Sequence, residues 1–376
     1  MAENRSRSMN MDIIRCVALF FVLAVHFCTH CGIYDAGYTG LAALITDTLR
    51  TFYVPALALF IMLNGFFQYK RTLSSSYYLG ILKLYEMYVI SSVLNLLYMR
   101  FYVGQPLGLR DMFSSIVNYT GSEYSWYVLL YNGLFLLIPF LNLSYNHIQH
   151  RGQKRVLILS LLFLSALPFS FLNAFVSVNA YWWQRIWPLM FYFMGAYMGE
   201  YRPRVSAKKS GLVFFAVLLV FSLYNYFFFN AVSPLYGIAA KSFLYTHEGL
   251  QNAVLTPLLF LWVMNINMDS WPAALGKLAA TVSKYSYGAF LFSSMTDSFV
   301  YLWLCRFVPD VGMRYLFFPI ALPISYAGAV FLSYLGDKLV NLADKLIRPA
   351  AKWLVDLLYR VTAPDAAAAE AAAKRS

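Results

Sequence analysis

Residues 11–27 read MDIIRCVALFFVLAVHF, an apolar run broken by Arg15 and His26. The run is long and apolar enough to be a spanning helix, and its two ionisable groups are expensive at membrane depth unless they snorkel or pair. Their eleven-residue separation amounts to about 1100° of helix rotation, which places both side chains within roughly 20° of one face and about 16 Å apart along the axis. One helix face therefore carries a fixed cation near one membrane surface and a titratable imidazole deeper in.

The remainder of the chain agrees with a membrane reading. Of its 376 residues 60% are hydrophobic and only 12% are charged, about half the charge of a soluble domain. Apolar runs of spanning length recur near 11–29, 51–68, 77–99, 125–144, 155–172, 183–199, 211–229, 250–267, 285–305 and 314–336. The expected fold is all-α, a polytopic integral membrane bundle of about ten transmembrane helices with both termini inside. That threading puts twenty Lys and Arg on the inner side and six on the outer, a positive-inside bias. The net charge of +12 is thereby explained by topology, and no nucleic-acid partner is expected. The basic start (Arg5, Arg7) followed by an uncut apolar run reads as a signal anchor.

Two segments are expected: a membrane domain over 10–337 and a cytoplasmic tail over 338–376. In the tail, KLVNLADKLIRPAAKWLVDLLYR (338–360) alternates apolar and basic groups at helical spacing and is interrupted by Pro349. It reads as an amphipathic segment on the inner membrane face. The last residues, AAAAEAAAKRS, read as a helical spacer without chemistry. No internal repeat is visible, which weighs against a transporter.

Several polar residues invite a role. Cys28 and Cys31 form a CxxC interleaved with His26 and His30. That pattern allows a metal cluster or a disulfide, but no second ligand cluster is visible, so no metal is expected, and the cysteines read first as ordinary small side chains at a helix end. Lys83 and Glu86 lie three apart at the start of the third run, as a neutralised pair would. Asp297, among Ser293, Ser294 and Thr296, is harder to dismiss, because an unpaired carboxylate at depth is costly.

These segments together resemble the acyltransferase-3 membrane family. An Arg, ten intervening residues and a His in the first span match Arg15 and His26. FYVPALALFIMLNGFF (52–67) resembles the second span, with Asn64, Gly65 and Phe66 in its small-residue-Gly-Phe position. SWYVLLYNGLFLLIPFLN (125–142), RIWPLMFYFMGAYMGE (185–200) and SKYSYGAFLFSSMTDSFVY (283–301) resemble later spans in order. Two positions depart from the family pattern. Gly80 and Lys83 stand where a pair of arginines is common, and Ser293 and Ser294 stand where a histidine often closes the segment.

The resemblance implies an acyltransferase acting on groups other than amino-acyl groups, in the inner (cytoplasmic) membrane. It would move an acetyl group from cytoplasmic acyl-CoA to a hydroxyl of an envelope glycan or lipid-linked sugar. Acetyl-CoA is then a donor substrate, with no permanently bound cofactor, and membrane lipid and the glycan acceptor are the partners; an oligomeric state is not implied. His26 is the candidate general base, since a sugar hydroxyl needs its proton removed as the new bond forms. Arg15, Lys83 and Asn64 are assigned to the acyl donor. Glu123, Trp126, Tyr127 and Arg185 are assigned to the acceptor, because aromatic faces and charged groups suit sugars. The alternative is a transporter or flippase of a lipid-linked sugar or small polar solute, and a third possibility is a sensor that has lost catalysis.

Overall fold

The computed structural model describes residues 8–167, 181–228, 230 and 246–365. The expectations for Arg5, Arg7, Lys241, the end of the fifth apolar run and the Ala-rich terminus fall outside those residues. Among the described residues the chain is helical, with no strand.

The α-helices of the described residues, in chain order, are α1 (Met9–His30), α2 (Gly40–Tyr53), α3 (Ala56–Gln68), α4 (Ser75–Leu79), α5 (Leu82–Tyr98), α6 (Leu109–Val117), α7 (Trp126–His147), α8 (Arg151–Ser165), α9 (Trp187–Tyr201), α10 (Ala207–Phe227), α11 (Leu250–Met264), α12 (Ala273–Phe307), α13 (Val311–Arg314) and α14 (Phe318–Thr362). Among the described residues six stretches are long and apolar enough to cross a membrane: Met9–His30, Gly40–Gln68, Ser75–Val103, Trp126–His147, Ala207–Phe227 and Val311–Thr362. Leu250–Met264 is apolar but shorter.

Local chemistry sets the helix ends. Ser8 enters α1 in an extended conformation and Asp12 lies in the first turn, where a carboxylate complements the helix dipole. The helix stops where Gly32 turns left-handed at φ 73°, a conformation that glycine adopts without Cβ strain. Pro55 separates α2 from α3, so the second apolar run is two helices in series. Pro349 behaves otherwise. It was expected to interrupt the tail, yet α14 runs unbroken from Phe318 to Thr362, and the tenth run and the amphipathic segment are one helix. A proline removes one ladder hydrogen bond and crowds the preceding turn, but forty-five residues of continuous helix carry through it. Beyond residue 338, Leu339, Leu342, Leu346, Trp353 and Leu357 remain exposed, at spacings that put them on one face of the helix.

The chain packs as two compact units. The first comprises Met1–Tyr69, Ile148–Ser286 and Asp297–Tyr326. In it α1 lies against α3, α2 and α11, and α3 packs most closely on α9. Glycines make that approach possible. A Cβ on Gly65 would overlap the Tyr192 carbonyl, one on Gly195 the Met62 carbonyl, and one on Gly199 the Phe66 backbone. Small residues at a membrane-helix crossing let backbones touch. The Asn-Gly-Phe and Tyr-Phe-Met-Gly strings that signalled the family are therefore the two sides of one helix crossing.

The second unit comprises Lys70–His147, Tyr287–Thr296 and Ala327–Ser376. Tyr77 stacks on Phe135 at 4.4 Å and donates to its carbonyl at 2.6 Å, which joins α4 to α7. Gly288 faces Ser333, and Gly336 faces Phe292.

Candidate active site

The residues of α1 that sequence singled out each acquire partners from α12. His26 Nδ1 lies 2.9 Å from Asp297 Oδ2. The Asp297 side chain is fully buried, while that of His26 keeps 15% exposure. The other carboxylate oxygen, Oδ1, accepts from the Ser325 hydroxyl of α14 at 2.5 Å. The Tyr301 hydroxyl, one turn on from Asp297, joins the same group. A carboxylate that accepts through Oδ2 assigns the Nδ1 proton to the imidazole, so Nε2 is the basic nitrogen of the ring. Sequence surrounds His26 with phenylalanines; the structure instead supplies one ring nitrogen with a carboxylate. This is a hydroxyl–carboxylate–imidazole relay of the kind that fixes a histidine tautomer and steadies its imidazolium.

Around Phe27, which follows His26, and Tyr301, four residues past Asp297, the environment is aromatic. Phe27 packs edge-on to Tyr301 at 5.3 Å and to Phe318 at 5.2 Å. The ring of His30 lies 6.4 Å from that of His26. These contacts hold α1, α12 and α14 in register around Asp297.

Toward the start of α1 a second cluster forms. Arg15 Nη1 donates to Ser283 Oγ at 2.8 Å, and the guanidinium is 4.0 Å from Asp12 and 5.6 Å from the centre of the Phe67 ring. Arg15 keeps 28% side-chain exposure. Asn10 ties this end to α11 by donating to the carbonyls of Val263 and Ile266, both at 2.8 Å. Beside it runs an apolar groove of about 380 Å³, lined by Ile13, Cys16, Val17, Phe20, Leu322, Pro323 and Tyr326.

Several of the other sequence candidates have partners of their own. Asn64 donates to Phe60 of its own helix at 3.0 Å and accepts from Gln68 at 3.0 Å. Arg185 is exposed at the turn before α9. Near it His247 is half-buried and stacks on Trp187 at 6.1 Å; desolvation pushes its pKa down to about 4 and raises that of the adjoining Glu248. Lys83, Glu123, Trp126 and Tyr127 belong to the second unit. Lys83 donates to Asn341 at 3.1 Å and lies 3.9 Å from Asp344, whose carboxylate also holds Arg348 at 2.8 Å. Those partners lie on α14, and Glu86 is buried nearby. Glu123 and Trp126 are exposed, whereas Tyr127 is buried edge-on to Phe290 at 5.1 Å.

Of the site residues, sequence flagged the expense of Asp297 without giving it a role, and it passed over Ser325, Ser283 and Asp12. The signal for Asp297 was its depth. The serines and Asp12 carried none. Among the described residues no group of three or more His, Cys, Asp or Glu could hold a metal ion.

A family model described as an acyltransferase domain matches residues 10–336. Neither a curated protein nor a solved structure matches the chain.

Proposed function

The chain belongs to the acyltransferase-3 family and is a membrane acyltransferase; from that premise we propose that it moves an acetyl group from cytoplasmic acetyl-CoA to a hydroxyl of an envelope glycan or lipid-linked sugar. The supporting observation is the contact between His26 and Asp297, 2.9 Å long and buried on the carboxylate side. In this reading the chain spans the inner membrane about ten times with both ends in the cytoplasm, as the charge bias suggests.

His26 Nε2 accepts the proton of the acceptor hydroxyl as that oxygen attacks the thioester carbonyl carbon. The C–O bond forms, and the C–S bond breaks as the tetrahedral adduct collapses. The imidazolium returns its proton to the departing coenzyme A thiolate, which restores the base. Asp297 stabilises the imidazolium between these events, and Ser325 holds the carboxylate still. Arg15 offers charged donors to a phosphate or carbonyl of the donor. About 16 Å of helix between Arg15 and His26 suits an extended pantetheine arm, with the donor's head inside and its thioester raised toward the imidazole.

The test is chemical. Envelope glycans from cells with and without the chain are compared by mass spectrometry for alkali-labile, ester-linked acetyl. The reading requires acetyl that appears with the chain, and an unchanged acetyl profile contradicts it.

A further inference from the structure

Three of the four cysteines converge at the far end of α1. Cys28 and Cys31 are buried in a cluster with Phe27, Ile33, Tyr301 and Ala321, and Cys305 of α12 packs against that cluster. The CxxC spacing suggests that Cys28 and Cys31 belong together, but their thiols face different partners. The Cys28 thiol meets the Tyr34 hydroxyl. The Cys31 thiol meets that of Cys305, whose sulfur also lies 3.8 Å from the His30 carbonyl oxygen. All four cysteines are free thiols.

Position gives this contact a consequence. Cys31 follows His26 by five residues, and Cys305 follows Asp297 by eight, so the thiols meet about 7–12 Å further along the same two helices. We propose that Cys31 and Cys305 are a disulfide-forming pair that locks α1 to α12 beside the His26–Asp297 contact. Its formation in the cell rests on the threading in the proposed function, which puts this end on the outer side, where disulfides persist.

Accessibility sets the order of events. Cys31 is fully buried and Cys305 only half-buried, so an oxidant meets Cys305 first. The oxidant is a reactive disulfide, protein or small molecule. The Cys305 thiolate attacks it, one thiol leaves, and a mixed disulfide remains. Cys31 then attacks the Cys305 sulfur and releases the second thiol. Two thiols are oxidised, one disulfide is reduced to two thiols, and the two protons pass to the leaving sulfurs. With the bond made, the helix pair carrying base and carboxylate cannot splay at this end.

Peptide mapping of the full chain decides the pairing without reference to activity. Membranes are blocked with N-ethylmaleimide before and after treatment with oxidised glutathione, and non-reduced peptides are analysed by mass spectrometry. The expected result is a Cys31–Cys305 cross-linked peptide after oxidation, lost with dithiothreitol and retained in Cys28→Ser. Maleimide on both thiols after oxidation, or a Cys28–Cys31 link in their place, overturns the proposal. For the lock itself, dithiothreitol should lower Tm of the oxidised wild type by several degrees and leave Cys305→Ser unmoved; an unmoved wild type overturns it. A failure of acetyl transfer leaves the mapping result intact, so the two readings fail separately.

Discussion

His26 on α1 and Asp297 on α12 are 271 residues apart in sequence and 2.9 Å apart in space, with the carboxylate buried and held from its other side by Ser325. A lone carboxylate or a lone imidazole at membrane depth is a liability. In the proposed reaction they act together as a base whose tautomer the carboxylate sets. Asp297→Asn preserves the shape but cannot stabilise an imidazolium. We expect kcat to fall by about 10²–10⁴-fold, the range a positioned acid–base group supplies, with donor KM nearly unchanged. Steady-state kinetics on reconstituted protein check this, and a variant with full kcat removes Asp297 from the mechanism.

Ser325→Ala removes the hydrogen bond to Asp297 Oδ1 but leaves the contact with His26. A hydrogen bond to a charged group contributes about 1.5–3 kcal/mol. The lower figure carried into the transition state is about tenfold, so acyl transfer should fall by at least that much and by less than in Asp297→Asn. A loss equal to that of Asp297→Asn would show that Ser325 does more than steady the carboxylate.

Arg15→Lys keeps the charge and loses the planar fork. Donor KM should rise while kcat and expression hold, because Arg15 lies about 16 Å of helix away from the base. Titration with acetyl-CoA at saturating acceptor reads this directly. Equal KM values would detach Arg15 from the donor.

Gly65→Ala sets a methyl group against the Tyr192 carbonyl at the α3–α9 crossing. Overpacking of this kind costs about 1–3 kcal/mol, seen as a lower Tm in detergent. Gly195→Ala strains the same crossing from the other side, so the double variant should lose less than the sum of the singles.

The pH dependence of stability has a separate source. His247 is half-buried with its Nδ1 shielded from solvent, and its pKa is depressed to about 4, while an unfolded histidine titrates near 6.5. Between those values the unfolded chain binds the extra proton, so the contribution of His247 is full above pH 6.5 and is lost as pH falls toward 4. The whole loss is about 3 kcal/mol. Glu248, raised by burial, acts in the opposite sense, since its folded form holds a proton at higher pH than the unfolded one. His247→Phe, which keeps a ring against Trp187, should flatten or reverse the acid decline in Tm. An identical decline in the variant would place its origin elsewhere.

Membrane character and helical class were legible from sequence, because apolar run length is a local property, and the cost of buried charge marked Arg15 and His26 as groups in need of partners. The depth of Asp297 marked it as unusual, but its partner could not be read, because spacing within one helix says nothing about which helix lies opposite. Asn64 and Gly65 show the same limit. Their motif carried the family resemblance, yet the glycine makes the α3–α9 crossing and the asparagine bonds within its own helix. Lys83 was set beside Glu86 by i, i+3 spacing, and its contacts with Asn341 and Asp344 come from a helix more than 250 residues on. Pro349 was read as a break from local preference alone, and the continuous α14 overrides it.

The most direct test removes the base. Wild type and His26→Ala are reconstituted separately and supplied with acetyl-CoA carrying radiolabelled acetyl and an envelope-glycan extract, and alkali-labile label in the glycan is counted. The account predicts label transfer by wild type and none above background by His26→Ala at equal protein. Transfer that persists in His26→Ala at the wild-type rate would contradict it.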